Sequence, residues 1–463
     1  MPVSRDGGLR WPPTLLLYLV SHGFMLASWN AFFWDDWLIY ADGRQGTVDH
    51  FAECQRCVIP FRGEIEGLLI VPGPWLMRLL VFAFFPVIAL FTQQFLRRTQ
   101  WLHKDEETII ALVILFLPMF GARIALVNYQ YAFSLLLFTL GAWMALSPRR
   151  VTRLVSLLPV FWSMFTASLQ VFVAVLIAVL VTKLFVRQFA VTLDRVLVVA
   201  SFLLFPFVHR YAIPMFFPKW TVTDGYNTIR VTFLIRAVLV AGILTLPLMT
   251  IVFRQRNGCV ARRSVVLLAI GLAVVSVGTF PYLAVGHFPN FSDWILPLLP
   301  DQSDWNSRHQ LLQPFGTAFV ILGVSQMMTQ YRRAFVLLAL GASVCLNVAT
   351  YSGYYLDSLK QNAVLSYFAE NSDNVRATTA VVVEDFANDY NARGRGIRAY
   401  EWQAMFESAV GVKVLVDSYS VDYCQNKKPD AILRITPTGG RLKGIVERKA
   451  AVNVTLEPFL TCK

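Results

Sequence analysis

Along the chain, long apolar runs alternate with short polar connections, most of them basic. A helix needs about 20 mainly apolar residues to cross the hydrocarbon core of a bilayer. On that measure the pattern predicts eleven spans, at 12–33, 75–96, 108–127, 130–147, 154–169, 171–186, 195–216, 231–253, 265–286, 311–330 and 334–352. The run from 154 to 186 is too long for one span and short for two, so a break near Ser168-Leu169-Gln170 divides it into two short helices meeting on one side. The first span resembles a secretory leader, with Arg5 and Arg10 ahead of its apolar stretch. Ser21-His22-Gly23 interrupts that stretch and no small-residue cleavage site follows, so it is read as a span.

From residue 353 the pattern changes. Thr379-Ala380-Val381-Val382-Val383 and Ala431-Ile432-Leu433-Arg434-Ile435 read as strands, and 397–410 as a helix. This tail holds fourteen Lys or Arg and thirteen Asp or Glu, so it is nearly neutral. The expected fold is an α-helical polytopic membrane protein, residues 1–352, followed by a small extracytoplasmic α/β domain, residues 353–463.

Composition agrees. Apolar residues make up 56% of the chain and charged residues 15%, against about 45–50% and about 25% in soluble domains. A soluble enzyme and a disordered chain are both excluded. The net charge of +12 would suit nucleic acid, but in a membrane protein basic residues first report topology. With the N-terminus cytoplasmic, the inside segments and adjoining span ends hold seventeen Lys or Arg and the outer loops between spans hold six. No nucleic-acid partner is called for, and the odd span count puts the C-terminal domain outside.

Phe33-Trp34-Asp35-Asp36-Trp37 is the most informative segment. Two adjacent acids leave the first span between aromatic residues. Adjacent carboxylates repel, and partial burial raises the pKa of at least one. Such a pair is costly at an apolar boundary unless something uses it. It could take a proton from a hydroxyl or hold a divalent ion. Solvated acids ending a span would read the same way.

At these residues the chain resembles the GT-C superfamily of membrane glycosyltransferases, which place one or two acids just after the first helix. Asp35 and Asp36 match that position. The family's long first loop, with helices lying on the membrane, is matched by 34–74, where 59–71 is a plausible interfacial segment. The resemblance covers the order of spans to about residue 350 and implies sugar transfer from a polyprenyl-phosphate carrier. The acceptor would be a glycan, lipid or protein at the outer face of a bacterial inner membrane, with membrane lipids as further partners.

Such a donor needs cations at headgroup depth. Arg78, Arg123, His209, Arg210 and Arg236 all fall toward the outer face. Arg holds phosphate through a forked set of donors, although an Arg near a helix end also snorkels without function. Arg308 and His309 open the tenth span, where free N–H groups attract anions. Arg308 looks like the family's late-loop cation for the carrier phosphate, and Asn306 or Ser307 would equally cap that helix. Cys54-Gln55-Arg56-Cys57 near His50 has metal-like spacing, though a disulfide suits the exterior better. Cys424 and Cys462 could likewise pair. No phosphate loop, dinucleotide fingerprint or nucleophile elbow appears. Two rival expectations are an O-antigen ligase or polymerase, using Arg308 and His309, and a lipid-linked sugar flippase or transporter.

Overall fold

The computed structural model describes residues 11–53, 59–186, 190–218, 235, 259–284, 308, 310–328, 330–392, 395–411, 413–418 and 429–459. Helices dominate, and a small sheet forms near the C-terminus. Among the described residues five helices are long and apolar enough to cross a bilayer: Pro74–Thr99, Ala167–Phe185, Leu193–Phe216, Arg263–Tyr282 and Arg332–Glu370. They fall on the second, sixth, seventh, ninth and eleventh expected spans.

The other expected spans differ. The first, third, fourth and tenth are the helices Trp11–Ala27, Lys104–Phe116, Tyr129–Ala145 and Gln313–Met327, of 17, 13, 17 and 15 residues. At 1.5 Å per residue these reach roughly 20–26 Å, short of the ~30 Å hydrocarbon core. The fifth is broken into Arg150–Val155 and Leu157–Ser163, and the next helix begins at Ala167. The eighth, 231–253, lies outside the described residues except for Ile235.

The third helix stops early for a local reason. Pro118 disfavours helical backbone at Leu117, and Leu117 is extended at φ −63°, ψ 124°. Residues 118–128 then run almost wholly buried, through two short 3-10 turns at Gly121–Ile124 and Leu126–Asn128. A buried stretch without regular structure must find partners for its peptide groups elsewhere.

The helix ends sort into two sets. At one end Arg153 pairs with Asp194 at 2.5 Å, Arg263 with Glu106 at 2.6 Å and Arg332 with Asp105 at 2.9 Å. Arg98 donates to the Trp143 carbonyl there, and Lys183 to the Thr99 carbonyl. This is the basic end. The first loop, the 118–128 stretch and the C-terminal sheet lie at the other end.

Helices Cys259–Ala284 and Gln313–Met327 approach each other closely. A Cβ on Gly316 would lie 2.5 Å from the Gly271 carbonyl oxygen and 2.5 Å from the Val275 nitrogen. Small residues admit this backbone contact.

The last helix, Arg332–Glu370, has 39 residues without a break at 352. At about 58 Å it outruns a bilayer. Its final turns carry Leu356, Leu359, Val364 and Phe368 into the core of the C-terminal domain, where Trp37 of the first loop also packs. The strands are β1 Ala380–Asp385, β2 Leu415–Ser418, β3 Ala431–Pro437 and β4 Val452–Pro458. Their order is β2-β1-β3-β4, with β1 parallel to β2 and β3, and β4 antiparallel to β3. The expected strands at 379–383 and 431–435 and the expected helix at 397–410 are β1, β3 and Ala399–Val410.

Gly316→Val should lower the thermal unfolding midpoint of the detergent-solubilised protein, at a cost of at least ~1–3 kcal/mol from overpacking. Gly341→Ala is the control. Its Cβ meets nothing within 4 Å, so it should be neutral or stabilising by up to ~1 kcal/mol.

Candidate functional site

The two acids after the first helix have different surroundings. Asp35 precedes the short helix Asp36–Tyr40 and Asp36 is its first residue. Successive helical positions are turned by about 100°, so neighbours face different ways. Asp36 points inward and is fully buried. Its Oδ2 accepts the Phe33 N–H at 3.1 Å and the Leu126 N–H at 2.9 Å, and its Oδ1 accepts the Val127 N–H at 2.9 Å. The carboxylate thus pins the 118–128 stretch to the first loop. Burial raises its pKa, Arg78 and the three N–H groups oppose the rise, and the balance lies at about 7.

Arg78 does the complementary task for carbonyls. It donates to Ser28 and Trp29 at 2.7 Å, to Ile124 at 3.2 Å, and to Ala31. From the other side Arg62 donates to the Val127 carbonyl at 3.3 Å and pairs with Glu66 at 2.9 Å.

Asp35 is half-buried. Its Oδ1 accepts the Tyr400 hydroxyl at 2.9 Å, and among the described residues Oδ2 has no protein donor. Burial, then the charge of Asp35, raises the Tyr400 pKa, so the phenol keeps its proton and donates. Arg398 is exposed and its Nη1 lies 3.4 Å from the same hydroxyl.

Trp34, just before the acids, has φ 52°. A bulky residue in the left-handed region costs about 1–3 kcal/mol and needs outside support. Here the C-terminal domain supplies it. The Trp34 N–H donates to Glu401 at 3.1 Å, and the Arg395 guanidinium sits 5.2 Å from its ring centroid. Arg395 is clamped by Asp357 at 2.7 Å and by Glu401 at 2.9 Å. Burial alone would lower its pKa, but the two carboxylates outweigh that and raise it.

The expected phosphate ligands that the structure describes have unlike surroundings. Arg123 is 2% exposed. Its Nε donates to the Tyr351 hydroxyl at 2.5 Å and its Nη2 to His22 Nε2 at 2.7 Å. Because a guanidinium only donates, His22 must be neutral with its proton on Nδ1. That proton faces Ser21 Oγ at 2.6 Å, and Ser21 in turn donates to the Tyr18 carbonyl at 3.0 Å. Arg123 therefore joins the first and last helices and offers no open face to a ligand. Arg210 lies exposed in the π-helical turn Val208–Ala212. Arg308 lies partly exposed ahead of Gln313–Met327. Neither Asp35 nor Asp36 is paired with Arg123, Arg210 or Arg308. His309 and Arg236 lie outside the described residues, as do Cys54, Cys57, Cys424 and Cys462. Among the described residues no three His, Cys, Asp or Glu side chains gather as a metal site.

Tyr400, Arg398, Arg395 and Glu401 were not legible as site residues. The only trace is the density of charge and aromatic rings in the 395–402 segment, which reads equally well as an ordinary helix start. No protein-family model matches the chain, and neither curated proteins nor solved structures give a match.

The Asp36 carboxyl sets a pH dependence. Its folded pKa, about 7, lies above the ordinary 3.8, so the folded state binds a proton that the unfolded chain releases. The linked stabilisation should be fully present below about pH 4 and fade as the pH rises through 7. Thermal unfolding in detergent across that range should show the slope, and Asp36→Asn should flatten it. Asp36→Asn should also lower stability at every pH, because its NH2 faces a backbone N–H.

Proposed function

We propose that the chain is a membrane glycosyltransferase of the GT-C kind, moving a sugar from a polyprenyl-phosphate carrier to an acceptor hydroxyl on the extracytoplasmic face. The observation that carries this reading is Asp35. It is a half-buried carboxylate with one oxygen fixed by Tyr400 and the other open, at the end of the bundle opposite the basic residues. Orientation follows from the basic end, which by the charge rule faces the cytoplasm. The bundle spans a bacterial inner membrane, and the first loop and C-terminal domain lie outside.

In the reaction, Asp35 Oδ2 accepts the proton of the acceptor hydroxyl as its oxygen bonds to the sugar C1. The bond from C1 to the phosphate oxygen breaks, and the phosphate stays on the carrier. Direct attack inverts C1. The departing phosphate gains negative charge, which nearby cations stabilise. The groups suited to this are Arg398, exposed beside Tyr400, and the exposed Arg210 and partly exposed Arg308 at the same end. Asp36 shapes the site without touching substrate, because it is fully buried and both its oxygens accept backbone N–H groups.

Membranes carrying the protein should transfer label from a synthetic polyprenyl-phosphate-linked hexose to an endogenous acceptor. Asp35→Asn should reduce the rate by roughly 10²–10⁴-fold, the usual contribution of a general base, with expression and unfolding midpoint unchanged. Tyr400→Phe should give a smaller loss in kcat with KM preserved. Full transfer by Asp35→Asn would remove this reading, and a reporter inserted in the first loop that proved cytoplasmic would reverse the orientation.

A further inference from the structure

A cavity of about 340 Å³ lies in the bundle, away from Asp35. Phe95, Leu102, Ile114, Leu176, Ile270 and Phe319 are among the side chains around it. It reaches the basic end of the bundle, where Thr99, Trp101 and Arg263 line it, and extends inward as far as Phe172 and Phe315. Trp101, Val266 and Ile270 line the cavity and are themselves exposed, at 41%, 47% and 37%. Val266 and Ile270 are one helical turn apart on one helix. These exposed lining residues point to a lateral slot along that helix face.

The slot ends among cations. Arg263 spends Nη1 on His103 and Nη2 on Glu106, which leaves donors over, and its side chain is 38% exposed. Lys183 sits 5.5 Å from the Trp101 ring centroid. Arg97 and Arg98, engaged by Glu107 and the Trp143 carbonyl, end the helix that supplies Phe95, so Arg263 is the cation with donors to spare. An apolar slot capped by cations and an exposed indole matches an amphiphile with an aliphatic chain and an anionic head.

We infer that this cavity binds one acyl chain of an anionic phospholipid, with the headgroup phosphate at Arg263. The lipid comes from the leaflet at the basic end, so it is distinct from any carrier engaged near Asp35, and the inference does not rest on glycosyl transfer. The chain fills a void that would otherwise leave its lining without dispersion contacts, and the head adds attraction from an anionic leaflet.

Native mass spectrometry of the full chain, released from nanodiscs of mixed phosphatidylglycerol and phosphatidylcholine, tests this. One phosphatidylglycerol should survive delipidation. Ile270→Trp, which narrows the slot at an exposed position, should abolish its retention. Arg263→Gln, which removes the cation while the His103 N–H and Gln326 still donate to Glu106, should keep a bound chain. That variant should lose the preference for phosphatidylglycerol by roughly fivefold, the effect of one surface cation. Equal retention of both lipids by the unaltered protein, no retained lipid, or undiminished retention by Ile270→Trp would each overturn the proposal.

Discussion

A buried, non-helical peptide stretch is the constraint on which the rest of this structure depends. Pro118 ends the third helix one turn or more before it could cross a bilayer, and the chain then runs through 118–128 with almost no exposure. In apolar surroundings each unmet peptide group costs several kcal/mol. The chain meets this need with charged side chains from the first loop and the second long helix. Asp36 takes two of the stretch's N–H groups, and Arg78 and Arg62 serve its carbonyls. Asn347 adds a bond from the last helix to the Phe116 carbonyl at 2.6 Å. Asp36, one of the two acids that stood out by position, is thus half of a backbone-matching pair.

That assignment separates the roles of two neighbours. A fully buried carboxylate surrounded by fixed N–H donors cannot meet a hydroxyl that arrives from water. A half-buried one with a free oxygen can. The division requires that Trp34 adopt its left-handed conformation, and this requires Glu401 and Arg395. The C-terminal domain is therefore part of the geometry at Asp35. It supplies the donor that fixes one oxygen, the acceptor for the strained peptide and the cation over the indole.

Much of the architecture was legible because it follows from hydrophobic period and length. Ten of the expected spans overlap helical segments described here, five of them long enough to cross a bilayer, and β1 and β3 fall where β-branched runs were seen, but the break expected at 168–170 falls inside the helix Ala167–Phe185, the chain turning at 164–166 instead. Helix lengths were less legible, because an apolar run continues through Leu117-Pro118-Met119-Phe120 although the helix does not. Hydropathy records what a residue prefers to touch and says nothing of where proline stops a helix. At the site, the sequence marked Asp35 and Asp36 as a pair but could not divide their tasks. Tyr400 lies 365 positions from Asp35, and no local pattern reports a contact at such separation.

Three buried guanidiniums show how differently one side chain is accommodated here. Arg395 lies between two carboxylates, so its charge is matched where it sits. Arg78 spends its donors on carbonyls and has Asp36 close enough to act on it through space. Arg123 has only a neutral imidazole, a phenol and the face of Phe85, 4.4 Å from its carbon. Desolvation is the same kind of penalty in each case, and the compensation falls from the first to the third. The least compensated cation is also the one that ties the first helix to the last, and the last helix runs unbroken into the domain that holds Asp35. The packing that buries Arg123, through Tyr351, and the packing beside Asp35, through Asp357 and Arg395, therefore share one continuous helix, Arg332–Glu370.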